Sequence, residues 1–189
     1  KHAKTFGPLD FHDYYFEHKV PQILAMQRAH EVIRQVGEEY TKISGREFHL
    51  AEAYRTDDAE RIVIALGSTT GTAKQVVDNL REKGEKVGMV KIRMFRPFPH
   101  EELRSILSGA GAVGVLDRSA SFGAMGGPVM LETKAALYGE STVPMKNYIY
   151  GLGGRDITEA HIESVFEELK DLASSGRSSD DVGLLGVRE

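Results

Sequence analysis

Three stretches of the sequence set small, hydroxyl-bearing or cationic residues directly after an apolar run: "GSTTGT" (Gly67–Thr72), "DRSASFGAMGGP" (Asp117–Pro128) and "GLGGRD" (Gly151–Asp156). Glycine lets backbone approach a ligand closely, hydroxyls donate to oxyanions, and a guanidinium forks onto phosphate or carboxylate. In the first stretch Gly67, Ser68 and Thr69 lead into an expected helix N-terminus, where backbone N–H groups and the helix dipole favour an anion. The stretch lacks the GxGxxG spacing and has no GK[ST], so it is not a phosphate loop by motif. A Gly/Thr turn explains it as well. In the second stretch Ser119 and Ser121 are the possible nucleophiles. A nucleophile elbow needs glycine two residues before its serine, and Asp117 and Ser119 stand there instead, so the elbow fails and a tight strand-to-helix turn is the simpler reading. In the third, Arg155 could meet its neighbour Asp156, cap the next helix or reach a partner. A fourth stretch, "VKIRMFRPFPHEEL" (Val90–Leu103), adds Arg93 and Arg96.

Other chemistry has little to stand on. The seven histidines are scattered, with no HExxH and no helical i, i+4 pair at His12 and His18, so no metal site is expected. Asp57–Asp58 and Glu101–Glu102 read as turn and helix-start charges. No catalytic residue is expected. The candidate binding residues are Gly67, Ser68, Thr69, Ser119, Ser121, Arg93, Arg96 and Arg155.

The elements that would position these loops alternate. "RIVIALG" (Arg61–Gly67), "KVGMVKIRMF" (Lys86–Phe95), "AVGVLD" (Ala112–Asp117) and "MKNYIYGLG" (Met145–Gly153) are apolar runs typical of strands covered on both faces. Between and after them the spacing predicts helices over 72–83, 99–107, 128–138 and 158–173, with Thr158 as N-cap and His161 in the capping-box position. "FHLAEAY" (Phe48–Tyr54) fits a short edge strand. This rhythm implies a three-layer α/β/α sandwich with a mostly parallel sheet. Upstream, Pro21 opens a helix carrying Ile23, Leu24, Met26, Ala29, Val32, Ile33, Val36 and Tyr40, which Ser44–Gly45 ends. Residues 1–20 are expected to form an aromatic linker or strap packed on a partner surface, through Phe6, Phe11, Tyr14, Tyr15 and Phe16. Residues 21–173 make the main domain, and 174–189 form a flexible tail whose "VGLLGV" could dock on a neighbour.

Composition excludes several functions. The 189 residues carry 24 Lys and Arg against 28 Asp and Glu, for a net charge of −4. No basic footprint for nucleic acid or an anionic membrane is present. No apolar run reaches the roughly 20 residues that span a bilayer. The chain has no cysteine, which rules out disulfides and a Cys-ligated iron–sulfur cluster on it. This is compatible with the cytoplasm. The opening "KHAKTFGPLD" has no Met and no signal-peptide pattern and reads as the middle of a longer polypeptide.

The segments "YYFEHK", "ISGREFHLAEAY", "GSTTGTAKQVVDNLREKGEKVGMVKIRMFRPFP" and "YGLGGRDIT", in this order and spacing, resemble the alpha subunit of pyruvate:ferredoxin oxidoreductase. The resemblance runs from about Phe6 to about Leu172. It implies a transketolase C-terminal-like domain: a five-stranded α/β/α sandwich with one antiparallel edge strand, here "FHLAEAY". It further implies a parent complex that converts pyruvate, coenzyme A and oxidised ferredoxin to acetyl-CoA, carbon dioxide and reduced ferredoxin. That complex would use thiamine diphosphate, magnesium and iron–sulfur clusters carried elsewhere. No GDG with a downstream Asn for magnesium diphosphate is present. The resemblance therefore implies an assembly domain without catalytic residues, and partners that are other domains or subunits in a homo- or hetero-oligomer. Ferredoxin is met only indirectly. Arg93, Arg96 and Arg155 are the cations available for coenzyme A docking. On the residues alone, a small-molecule or nucleotide-binding module remains the alternative, and the resemblance also leaves open the same domain of a 2-ketoisovalerate- or 2-oxoglutarate-type oxidoreductase.

Overall fold

The computed structural model describes residues 7, 9–179 and 181–188. Phe6 and the first part of the expected strap lie outside them. The chain divides into two compact units, residues 1–48 and 49–189.

The first unit is built on one long helix, α1 (Tyr15–Ser44). It starts six residues before the expected Pro21, so part of the presumed linker is helical. The backbone bonds Tyr15 N–H to Phe11 O (2.9 Å) and His18 N–H to Tyr14 O (3.0 Å) are in place. Pro21 forgoes one bond near the N-terminus without stopping the helix. Gly45 ends α1 in the left-handed region, with φ of 68°. The chain then folds back: Phe48 N–H donates to Thr41 Oγ1 (3.1 Å), which donates to Gly37 O (2.9 Å). The Phe48 ring lies on Gly37, where a Cβ would come within 2.4 Å of Phe48 Cδ1. Ile23, Leu24, Met26, Val32, Val36 and Tyr40 are about half exposed, and Phe11, Tyr14, Tyr15 and Phe16 are exposed.

The second unit is the expected sandwich. Its strands are β1 (Ala51–Tyr54), β2 (Arg61–Leu66), β3 (Val87–Ile92), β4 (Ala112–Asp117), β5 (Met145–Ile149) and β6 (Gly183–Leu184). They lie in the order β1-β3-β2-β4-β5-β6. All neighbours are parallel except β1, which runs antiparallel to β3. The sheet thus has six strands rather than five. The sixth comes from the expected tail, which docks on its own β5. Gly183 fits there because a Cβ would meet Tyr148 Cδ1 at 2.4 Å. Two paired residues are too few to show a period.

The helices are α2 (Thr69–Glu82), α3 (His100–Leu107), α4 (Pro128–Leu137) and α5 (Glu159–Ser175). Strand alternation sends side chains to two cores. Val63, Ala65, Met89 and Leu116 pack with Val76, Val77 and Leu80 of α2 and Val165, Phe166 and Leu169 of α5. Ile62, Ile64, Val90, Val113 and Val115 pack with Leu103 and Leu107 of α3 and Met130 and Leu137 of α4. The Thr158–His161 capping box forms as expected. From β2 the chain passes to β3 on one side, then crosses to β4 on the other. The topological switch point therefore lies between β2 and β4.

At the amino end of β2, Arg61 is buried. It donates to Phe166 O (2.8 Å) and to Glu85 (2.5 Å), which Lys170 also reaches at 3.1 Å. The Arg61 guanidinium, helped by Lys170, holds the Glu85 carboxyl below its usual range.

Candidate functional site: a cleft at the switch point

Three strand ends converge beside the switch point. After β2, Gly67 takes φ of 72° and turns the chain into α2, with Thr70 Oγ1 donating to Gly67 O (2.7 Å). The left-handed backbone suits glycine. After β4 comes Arg118. After β5 come Tyr150, Gly151, a single 3-10 turn at Leu152–Gly154, and Arg155. Ser68, Thr69, Thr72, Arg118, Tyr150, Arg155, Asp156 and Ile157 line a cleft of about 220 Å³.

The cations of this cleft are anchored but not neutralised. Arg118 Nε donates to Gly151 O (3.1 Å), and Arg155 Nη1 to Gly186 O (2.5 Å). Among the described residues neither has a carboxylate within ion-pair distance, and Arg155 does not pair with Asp156. Thr69 and Tyr150 are buried, at 5% and 4% exposure. Their hydroxyls have no hydrogen-bond partner among the described residues. The first turn of α2 holds no acidic residue, and Ser68 makes no side-chain cap.

The glycine-rich stretch after β4 is organised differently. Asp117 is 1% exposed. Its Oδ1 accepts from Val129 N–H (2.8 Å), and its Oδ2 from Met130 N–H (3.0 Å) and Asn147 Nδ2 (3.0 Å). Asn147 in turn accepts from Gly127 N–H (2.7 Å) and donates to Val115 O (3.0 Å). A strand carboxylate thereby serves the N-terminal amides of α4, which has no cap of its own. Gly127 is required by close approach: a Cβ there would sit 2.3 Å from Asp117 Cγ. Burial pushes the Asp117 carboxyl up from its usual range, while the three N–H donors pull against that.

Of the sequence candidates, Ser68, Thr69 and Arg155 come together, with Gly67 shaping the turn behind them. Ser119 and Ser121 do not join them and lie in an exposed loop. Arg93 sits 3.7 Å from Glu52. Arg96 pairs with Glu132 at 2.6 Å and lies 4.2 Å over the Phe95 ring. Sequence reasoning missed Arg118, Tyr150 and Thr72. The usable signal was position: Arg118 and Tyr150 each follow the last residue of a parallel strand.

The polar side-chain groups of this cleft are two guanidiniums, several hydroxyls and one carboxylate. Among the described residues no three of His, Cys, Asp and Glu gather to hold a metal ion, and the chain has no cysteine for a cluster. No described hydroxyl of the cleft is hydrogen-bonded to a base. The arrangement can recognise an anion.

A mostly parallel sheet with an antiparallel edge strand and helices on both faces defines an open, doubly wound α/β domain of the kind found at the transketolase C-terminus. A split-gene transketolase, in an inactive β4 tetramer, superposes with a TM-score of 0.54 at 15% identity, covering 68% of this chain and 44% of that one. Residues 59–162 match the model of pyruvate:ferredoxin oxidoreductase core domain II, and the chain belongs to that family. The pyruvate synthase subunit PorA of Thermotoga maritima is 48% identical over 190 residues, all of this chain and 47% of the relative. The PorA of Methanosarcina barkeri is 44% identical over 92% of this chain and 44% of its own length. The ketoisovalerate oxidoreductase subunit VorA of Pyrococcus abyssi is 42% identical over 89% and 43%. The chain thus spans about half the length of these curated relatives.

Proposed function

We propose that this chain supplies the assembly domain of a pyruvate-type 2-oxoacid:ferredoxin oxidoreductase, which forms acetyl-CoA, carbon dioxide and reduced ferredoxin from pyruvate and coenzyme A. The observation that carries the reading is 48% identity along the whole chain to a pyruvate synthase subunit. In this reading thiamine diphosphate supplies the carbanion chemistry. It is bound with magnesium, iron–sulfur clusters and coenzyme A by other domains or subunits. The sandwich braces those parts, and the aromatic stretch before α1 straps it to them. Ferredoxin docks elsewhere on the complex. The 42% identity to a ketoisovalerate oxidoreductase subunit supports a second reading, the same domain in a branched-chain 2-oxoacid enzyme.

The test uses the complete oxidoreductase. Ferredoxin reduction is measured with pyruvate and with ketoisovalerate, in the parent enzyme and in Ser119→Ala, Ser121→Ala and Arg93→Gln variants. A higher kcat/KM for pyruvate and variant kcat values within about twofold of the parent are expected, since none removes a transition-state contact. Preference for ketoisovalerate selects the second reading. A hundredfold loss of kcat in any variant rejects a non-catalytic domain.

A further inference from the structure

We propose that the cleft at the carboxyl ends of β2, β4 and β5 is a binding site for a small phosphate monoester, its phosphate held between Arg118 and Arg155. The site is independent of the assembly role, and three observations converge on it.

The first is charge. Elsewhere in the sandwich most guanidiniums find carboxylates, as Arg55 does with Asp78 at 2.8 Å, Arg61 with Glu85 at 2.5 Å, Arg81 with Asp58 at 2.7 Å and Arg96 with Glu132 at 2.6 Å; the others without such a partner among the described residues are Arg177 and Arg188, near the end of the chain. In a chain with more acids than bases, two arginines facing one cleft without a carboxylate partner among the described residues depart from that pattern. Each is fixed by one backbone carbonyl, Gly151 O and Gly186 O. That leaves both Nη atoms of Arg118, and Nε and Nη2 of Arg155, for a ligand. Guanidiniums held this way match the several oxygens of a phosphate.

The second is a pair of hydroxyls. Thr69 and Tyr150 line the cleft, are more than nine-tenths buried as residues and hydrogen-bond to no described residue through their side chains. Their oxygens are not among the sealed, unpartnered atoms of the described residues, so both hydroxyls are open to the cleft and free to donate to an acceptor that enters it. A phosphate oxygen is such an acceptor.

The third is the start of α2. Ser68 and Thr69 open this 14-residue helix at the cleft, with no acid in its first turn to compete for the dipole.

The opposing group is Asp156, an exposed carboxylate on the same lining. It leaves the cleft one positive charge in excess, which favours a single phosphate over a diphosphate. It also offers an acceptor to a ligand hydroxyl. The volume of about 220 Å³ lies below the roughly 300–1,000 Å³ of pockets for larger organic ligands. A phosphate on a short hydroxylated body fills it; a whole nucleotide would extend out of its mouth.

The experiment titrates inorganic phosphate and glycerol 3-phosphate into the 189-residue chain by calorimetry. Chloride at matched ionic strength is the control, and thermal melts run in parallel. Saturable binding of both probes is expected, tighter for the ester, with a rise in Tm that chloride does not give. Arg118→Gln and Arg155→Gln should each weaken binding roughly tenfold by removing a charge-assisted fork. Thr69→Val should weaken it severalfold while leaving the chloride Tm unchanged. Arg93→Gln, outside the cleft, should bind as the parent does. No saturable binding above the chloride control, or equal loss in Arg93→Gln, overturns the proposal. If an arginine variant fails to fold, Thr69→Val decides: undiminished binding there overturns it.

Discussion

Asp117 and Arg118 are consecutive in the chain and meet opposite circumstances. The Asp117 carboxylate is sealed at 1% exposure, with three N–H donors on its two oxygens. The Arg118 guanidinium faces a cleft, and among the described residues its hydrogen-bond partner is a backbone carbonyl, Gly151 O. The pleat accounts for the difference. Val113 and Val115, in phase with Asp117, pack toward α3 and α4. Ala112 and Leu116, in phase with Arg118, pack toward α2 and α5. One step along the strand turns a charge from the N-terminus of α4, which absorbs it, to the start of α2, which does not neutralise a cation. Adjacent charges at the end of a parallel strand can therefore serve the fold and the ligand separately.

The comparison can be broken first at Asp117. Asp117→Ala would orphan Val129 N–H and Met130 N–H in a buried place and take one of the two acceptors of Asn147 Nδ2, which keeps Val115 O. A loss of roughly 3–4 kcal/mol in denaturant unfolding is expected. A loss as small as a surface substitution gives would show that α4 does not depend on this carboxylate. Next, Gly127→Ala forces a methyl against Asp117 Cγ, and about 2 kcal/mol of destabilisation is expected from overpacking. Its backbone φ of −72° adds no strain, so an unchanged melt would mean the latch opens cheaply.

The pH dependence sharpens the contrast. Glu85 is held below its usual range by Arg61. Its contribution is complete above the ordinary carboxylate range and disappears as pH falls through the lowered folded value. Asp117 has the opposite sign: burial raises its folded value, so falling pH through that raised value relieves a cost of burying its charge. Glu85→Gln should therefore lose roughly 1.5 kcal/mol at neutral pH and show a shallower decline toward acid than the parent. Parallel acid profiles for the two proteins would remove Glu85 as a source of acid sensitivity. The smallest effect belongs to Arg118→Gln, which gives up one bond to Gly151 O; less than about 1 kcal/mol is expected in chloride. A larger loss would make Arg118 a structural residue like its neighbour.

Much of the sandwich was legible because its strands are continuous apolar runs and its helices carry their own signals. "RIVIALG" and "AVGVLD" read as buried strands. Thr158 and His161 read as a capping box, and the box forms. Two features were not legible. The start of α1 was hidden by Pro21, since a proline usually marks a helix start and here lies within one. The strand β6 was hidden because two residues carry no period, and it is held by a fit against Tyr148 that only the folded sheet creates. The cleft was half legible. Ser68, Thr69 and Arg155 announce themselves by type. Arg118 and Tyr150 join them only because β2, β4 and β5 lie side by side, and that order is not written in any local stretch. Arg93 and Arg96 looked equally available until the folded chain set Glu52 and Glu132 beside them.

The proposed domain recognises phosphate and leaves the catalytic cofactor of the proposed oxidoreductase to other domains or subunits. The direct measurement is calorimetry of thiamine diphosphate into the isolated chain, with and without magnesium, in parent and Arg118→Gln forms. At most weak, magnesium-independent heat that Arg118→Gln abolishes is expected. Micromolar binding that requires magnesium and survives Arg118→Gln would contradict it.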